Sequence, residues 1–246
     1  MTVGVLSSLV LFWVATAWLQ RSEREVVEFE PAGSYRFLSA AGPIDVTDGD
    51  RPLLRYDASW LLSGPALAVE PVDGGLPEDV AGPSSITVSC PGAFPCRAAA
   101  RLEFPPGSLL DVGSSRGDVS VVGFDGDLTI EAHGRSEVFL GPLAGSLTVA
   151  TETGGVFGFG LNADDVEIGT TDGEIELRFA TRPRRVVIRS GSEPVTLELP
   201  DGDYAVNVKG GSSITIGVGR LAGADSEILV QAGGPVSIQP RPDENP

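Results

Sequence analysis

Five aspartates, Asp125, Asp127, Asp164, Asp165 and Asp172, are the first residues of this chain whose type and spacing suggest chemistry. Paired carboxylates on neighbouring turns of a repetitive fold could serve as general acid and base on a polysaccharide, one protonating the leaving oxygen while the other activates water. Each of the five, however, stands where the chain is expected to bend, and Asp favours bends for backbone reasons alone. The Asp-Gly-Asp triplets at 48–50, 125–127 and 201–203 read the same way. Bend residues are therefore the first reading, ion or carbohydrate contact the second, and catalysis the last. The repeated Gly-Gly-x-Gly-x-Asp pattern of calcium-loaded β-rolls is absent from the sequence.

His133 is the only histidine, and its type suits a general base. It sits in the polar stretch Glu131-Ala132-His133-Gly134-Arg135 with no nucleophile at a recognisable spacing, so it reads as an exposed loop residue. The sequence contains no H-E-x-x-H helix or phosphate-binding loop. We assign no catalytic, cofactor-binding or metal-binding residue, expect no cofactor, and read the chain as a non-enzyme.

Two further motifs have bland readings beside sharper ones. Arg116-Gly117-Asp118 spells an adhesion tripeptide, but its Gly-Asp also forms the natural turn into the next strand. Arg182-Pro183-Arg184-Arg185 is the only basic cluster; it reads as a solvated bend, with contact to an acidic lipid or polymer as the alternative. The formal charge of −17, with Lys209 as the single lysine, argues against a nucleic-acid partner.

The two cysteines, Cys90 and Cys96, enclose five residues that include two prolines and a glycine. So compact a loop brings its ends within disulfide reach, and a disulfide implies an oxidising compartment. Zinc sites want closer spacing and further ligands, and a redox pair wants C-x-x-C.

Stepping along the chain, short apolar runs recur with alternating polarity, the mark of half-buried strands. One set begins at Leu128, Leu147, Val166 and Val186, spaced 19, 19 and 20 residues. An interleaved set begins at Val119, Val138, Val156, Ile175 and Val195, spaced 19, 18, 19 and 20. Two strand sets at a common period predict an all-β, short parallel β-solenoid with two strands per coil of about nineteen residues. Leu128, Leu147, Val166 and Val186 should stack as an inward ladder, with Thr129, Thr148 and Glu167 outward. Phe157, Phe159 and Phe179 are expected to fill the interior. An antiparallel sandwich is the structural rival, but it has no reason to equalise its loops.

Ahead of the array lie strand candidates within 35–110, expected to cap one end and to carry the disulfide, and a charged linker at 21–34. The array runs over 111–239, with Ile214–Ile216, Ile228–Val230 and Val236–Ile238 finishing it. A disordered tail follows at 240–246. Val3 to Leu19 is free of charge and just long enough to span a bilayer, so 1–20 is expected to be a transmembrane helix. A cleaved signal peptide is the rival, since Ala15-Thr16-Ala17 has a cleavage-site form, but no basic region precedes the apolar run. Arg21 and Arg24 after the span favour a cytoplasmic body, whereas the cysteines favour an extracytoplasmic one; the cysteines decide our expectation.

Gly117-Asp118-Val119-Ser120-Val121, Gly126-Asp127-Leu128-Thr129-Ile130, Gly145-Ser146-Leu147-Thr148-Val149 and Asp172-Gly173-Glu174-Ile175-Glu176-Leu177 resemble the repeats of the bacterial "putative adhesin" family DUF4097. The likeness continues through Pro183–Ile188 and Leu199–Tyr204. It covers residues 100–239 and, more loosely, 35–99. It implies a repeated-strand fold at a cell envelope, commonly behind a membrane helix, and brings no catalytic residues. The lysine-poor, Arg- and Gly-rich composition resembles that of actinobacterial proteins. The expected function is thus that of a membrane-anchored, extracytoplasmic, non-catalytic module binding an envelope polymer or membrane protein partner. A sensory or assembly accessory domain and a weak polysaccharide-active enzyme are the alternatives.

Overall fold

The computed structural model describes residues 21–29, 33–60, 64–71, 84–90 and 96–241. The expected anchor at 1–20 lies outside the described residues, as does most of the expected tail. Among the described residues no helix is long and apolar enough to cross a membrane.

Among the described residues the strands form two open sheets, one of 11 and one of 12 strands, and from Cys96 onward successive strands mostly alternate between them. Phe124–Ala132, Ser146–Thr151, Asp165–Thr170 and Arg185–Ser190 follow one another across the larger sheet. Val119–Val122, Val138–Leu140, Val156–Leu161, Ile175–Phe179 and Val195–Leu199 do so across the smaller one. The nineteen-residue spacing read from the sequence is here a spatial adjacency. Leu128 lies beside Leu147, Leu147 beside Val166 and Val166 beside Val186, in parallel register. All four are at most 2% exposed. Alternation drives this arrangement, because each strand has one apolar side and only the opposite sheet and the neighbouring strands can cover it. The inward residues of both sheets form one continuous core.

Between strands the backbone of one bend presses on that of the next. Gly145 has φ +90°, and a Cβ there would lie 2.3 Å from the Gly126 carbonyl oxygen. Only a residue without a side chain can both turn this way and stack this closely.

Several expectations need correction. Residues 21–28, expected as linker, form a strand, Arg21–Glu28, paired antiparallel with Leu53–Trp60. Cross-strand contacts hold it there, since Arg24 bonds Asp57 at 2.5 Å and the Tyr56 hydroxyl donates to Glu25 at 2.5 Å. The region 35–110 is more than a cap. Ser34–Ser39, Ile44–Asp48, Ser108–Ser114 and part of Cys96–Phe104 continue the parallel ladders, while Leu53–Trp60 and Ala66–Pro71 run antiparallel.

Spatial order also departs from chain order at both ends. Ser34–Ser39 lies between Ser84–Ser89 and Ser108–Ser114, and Ile44–Asp48 lies between Cys96–Phe104 and Val119–Val122. Glu227–Ala232 is inserted between Arg185–Ser190 and Asp203–Gly210, and Val236–Pro240 between Val195–Leu199 and Ile214–Ile216. The final runs therefore join the sheets, but the strands Asp203–Gly210 and Ile214–Ile216 lie outside them. Burial accounts for the choice. Ile228, Val230, Val236 and Ile238 are at most 2% exposed in the inner position, whereas Ile214 at the end is 46% exposed.

Candidate functional site

Of the aspartates singled out in the sequence, Asp164 and Asp172 stand at bends, whereas Asp125, Asp127 and Asp165, expected at bends, lie within strands. The Asp127 carboxylate accepts the Ser146 amide at 3.0 Å, and Asp48 accepts the Asp125 amide at 3.0 Å. The Asp164 carbonyl accepts the amides of Arg184 and Arg185, Asp165 pairs with the Arg184 guanidinium, and Asp172 accepts the Ser192 hydroxyl at 2.5 Å. Each of these bonds links neighbouring strands or the bends between them.

His133 places Nδ1 3.2 Å from Glu152 Oε1, and both side chains are exposed. The Gly134 amide donates to the other Glu152 oxygen at 2.9 Å. That amide first, and His133 second, hold the Glu152 carboxyl below the usual carboxylate range. In Arg116-Gly117-Asp118, the glycine turns at φ +108° against the Gly42–Pro43 backbone, and Asp118 accepts the Glu137 amide at 3.0 Å. The tripeptide is thereby a structural turn.

The basic cluster ties neighbouring segments together. Arg182 donates to the Ser226 hydroxyl at 2.7 Å and to the Asp203 carbonyl, with its guanidinium 4.9 Å from the Tyr204 ring centroid. Arg185 lies 3.5 Å from Glu227. Cys90 and Cys96 are bonded, with Cα atoms 5.7 Å apart. This disulfide ties the end of one strand of the larger sheet to the start of a strand of the smaller one.

The feature the sequence reading missed lies on the outer face of the 11-stranded sheet. Phe157 and Phe159 do not fill the interior; only Phe179 does, at 0% exposed. Val138 and Val156 occupy the inward row with Val119, so residues one further along each strand must face solvent. Phe139 and Phe157 are register partners on that outer row, with ring centroids 5.5 Å apart and planes 20° from parallel. Phe159 lies two residues beyond Phe157 on the same face. The exposures of Phe139, Phe159 and Val122 are 39%, 42% and 49%. Gly141 leaves room for Val122, whose Cγ1 would lie 3.0 Å from a Cβ on that glycine.

Charge borders this apolar patch on one side. Arg178 lies 5.2 Å from the Phe159 centroid and bonds Glu176 at 2.8 Å and Glu198 at 3.2 Å. The guanidinium thus stacks on one ring while two carboxylates fix its plane. An exposed, ordered aromatic cluster with a polar rim is a recognition surface in form. Its parity was available in the sequence, because Phe157 follows Val156 as Phe139 follows Val138.

No family model and no curated protein matches the chain. Solved structures do resemble it. A "putative lipid binding protein" from Parabacteroides distasonis ATCC 8503 aligns with TM-score 0.54 at 14% identity, covering 89% of this chain and 96% of that one. A "putative adhesin" from Parabacteroides merdae ATCC 43184 aligns with TM-score 0.49 at 13% identity, covering 89% and 96%. A "putative cell adhesion protein" from Clostridium sporogenes ATCC 15579 aligns with TM-score 0.37 at 12% identity, covering 90% and 100%. The first of these shows a shared fold over nearly the whole chain.

Proposed function

We propose that this chain is a non-catalytic binding module. In this reading it is a short parallel β-solenoid with two strands per coil, tethered by a membrane helix at 1–20 with its body outside the cytoplasm. Its ligand is an envelope polymer or an apposed surface, engaged through the outer face of the 11-stranded sheet. The observation that carries this is the row of outward aromatics, Phe139, Phe157 and Phe159, held rigid by the ladder beneath them. Exposed aromatic area is costly to leave in water without a use, and a regular sheet fixes it in one geometry before any ligand arrives, so little ordering entropy is lost on binding. The Cys90–Cys96 bond supports the extracytoplasmic placement.

The test is co-sedimentation of the purified full chain with isolated cell envelopes, comparing the wild type with the double variant Phe139→Ser, Phe159→Ser. Both side chains are outward, so the variant should unfold at the wild-type temperature. Loss of co-sedimentation in the variant is expected. Equal co-sedimentation of the two proteins would dismiss this face as the contact surface. Protease accessibility in intact cells checks the topology separately.

A further inference from the structure

A second surface lies on the other sheet, close to the end of the stack. Arg189, Gln231 and Lys209 occupy one register row across three adjacent strands, and Val187, Leu229 and Asn207 the row two residues before it. The six line a groove of about 220 Å³. Val187 faces outward yet is only 6% exposed, because the longer side chains around it stand above it as walls. The groove therefore has an aliphatic floor, Val187 and Leu229, and a rim of two cations and two amides.

The charge of this rim is unusual for the molecule. The chain carries a formal charge of −17 and has one lysine, and that lysine stands here. Lys209 has no carboxylate partner among the described residues, while Arg189 pairs with Glu167 on the side away from Lys209. Glu167 and Glu227 border the groove but are paired with Arg189 and Arg185, so Lys209 is the uncompensated charge beside it among the described residues.

We infer that this groove binds a uronic-acid residue of an anionic polysaccharide. A sugar ring presents an apolar C–H face to the floor, hydroxyls to the Asn207 and Gln231 amides, and a carboxylate to Lys209. A peptide laid along the floor fits less well, because the backbone groups of Arg185–Ser190 and Glu227–Ala232 are paired on both flanks and would leave its amides unmet. An acyl chain fits less well too, since the apolar floor is two residues wide. The inference concerns a face opposite to the aromatic one and stands independently of it.

Calorimetric titration of the full chain with tetragalacturonate tests it, with xylotetraose and inorganic phosphate as comparison probes. Tetragalacturonate should bind, weaken with added sodium chloride, and weaken about tenfold in Lys209→Gln, one charge-assisted hydrogen bond's worth. Xylotetraose and phosphate should bind at least tenfold more weakly than the uronate. The exposed Lys209 leaves folding intact on substitution, which an unchanged unfolding temperature verifies. The Phe139→Ser, Phe159→Ser variant should retain uronate binding, so failure of the aromatic face and of this groove can be told apart. The inference is overturned by absence of uronate binding at millimolar concentration, by equal affinity of Lys209→Gln, or by phosphate or xylotetraose binding as tightly.

Discussion

Asp127 and Ser146 are nineteen residues apart in the chain, and the Asp127 carboxylate accepts the Ser146 amide at 3.0 Å. Asp118 and Glu137 repeat the relationship at the same separation and distance. Each carboxylate satisfies a donor at the start of the next coil, as a capping residue does for a helix. Asp127→Ala and Asp118→Ala should each cost about 1 kcal/mol. Asp127→Asn should recover part of that, because an amide oxygen still accepts. Urea unfolding midpoints measure this, and midpoints unmoved by either alanine would show that these bonds carry no weight in solution.

Leu147 lies between Leu128 and Val166 and is 1% exposed. Leu147→Ala should cost about 2–5 kcal/mol, the range for a buried leucine whose neighbours relax only in part. Leu147→Asp should prevent folding of the central coils, since an unpaired charge would be buried. Thermal melts followed by far-ultraviolet circular dichroism report both.

Gly145 and Gly107 separate conformational cost from crowding. Both have positive φ, at +90° and +79°, but a Cβ at Gly107 would meet nothing within 4 Å. Gly107→Ala should therefore cost about 1 kcal/mol from backbone strain alone, and Gly145→Ala distinctly more because it must also displace the Gly126 carbonyl. Equal losses would mean that the coils slide apart freely at this bend.

Burial, and then the hydrogen bond to Glu25, pushes the Tyr56 phenol up to about 12. The folded state thus favours the protonated phenol more than the unfolded chain does, where it titrates near 10. Its contribution is complete below pH 10 and is lost as the pH rises through the interval to about 12, an effect of about 2 kcal/mol. The slope of unfolding free energy against pH above 10 should flatten in Tyr56→Phe. An identical slope in the two proteins would place the alkaline sensitivity elsewhere.

Alkylation of the denatured, unreduced protein should find Cys90 and Cys96 blocked. Removing both as Cys90→Ser, Cys96→Ser should lower stability by about 2 kcal/mol, as expected for so short a loop. Two alkylated cysteines in freshly isolated protein would contradict the bond.

What the sequence revealed and what it concealed have the same origin. Leu128, Leu147, Val166 and Val186 were legible as stacked partners because the segments between them have nearly equal length, so position along the chain translates directly into position in space. Tyr35 lies beside Leu110, 75 residues away, and no period could announce that pairing. The insertion of 227–240 inside 203–216 was hidden for the same reason, since a choice between two places in a stack is made by burial. The outward turn of Phe157 and Phe159 was concealed differently. Aromatic type suggested the interior, whereas the parity set by Val156 decided otherwise, with Gly158 taking the inward place between them. The lysine groove needed three strands that are not consecutive in the chain, Arg185–Ser190, Glu227–Ala232 and Asp203–Gly210, and so had no local signature.

The doubled-back ends change how this body would yield to a pull. In a stack wound in simple order, tension on the last residues would peel one rung at a time from a free margin, each rung parting from a single neighbour. Here the final rung is gripped on both flanks, by Arg185–Ser190 and Asp203–Gly210 on one sheet and by Val195–Leu199 and Ile214–Ile216 on the other. Withdrawing it means shearing two ladders per sheet at once, so a protein stretched between two surfaces would hold until its load broke them together.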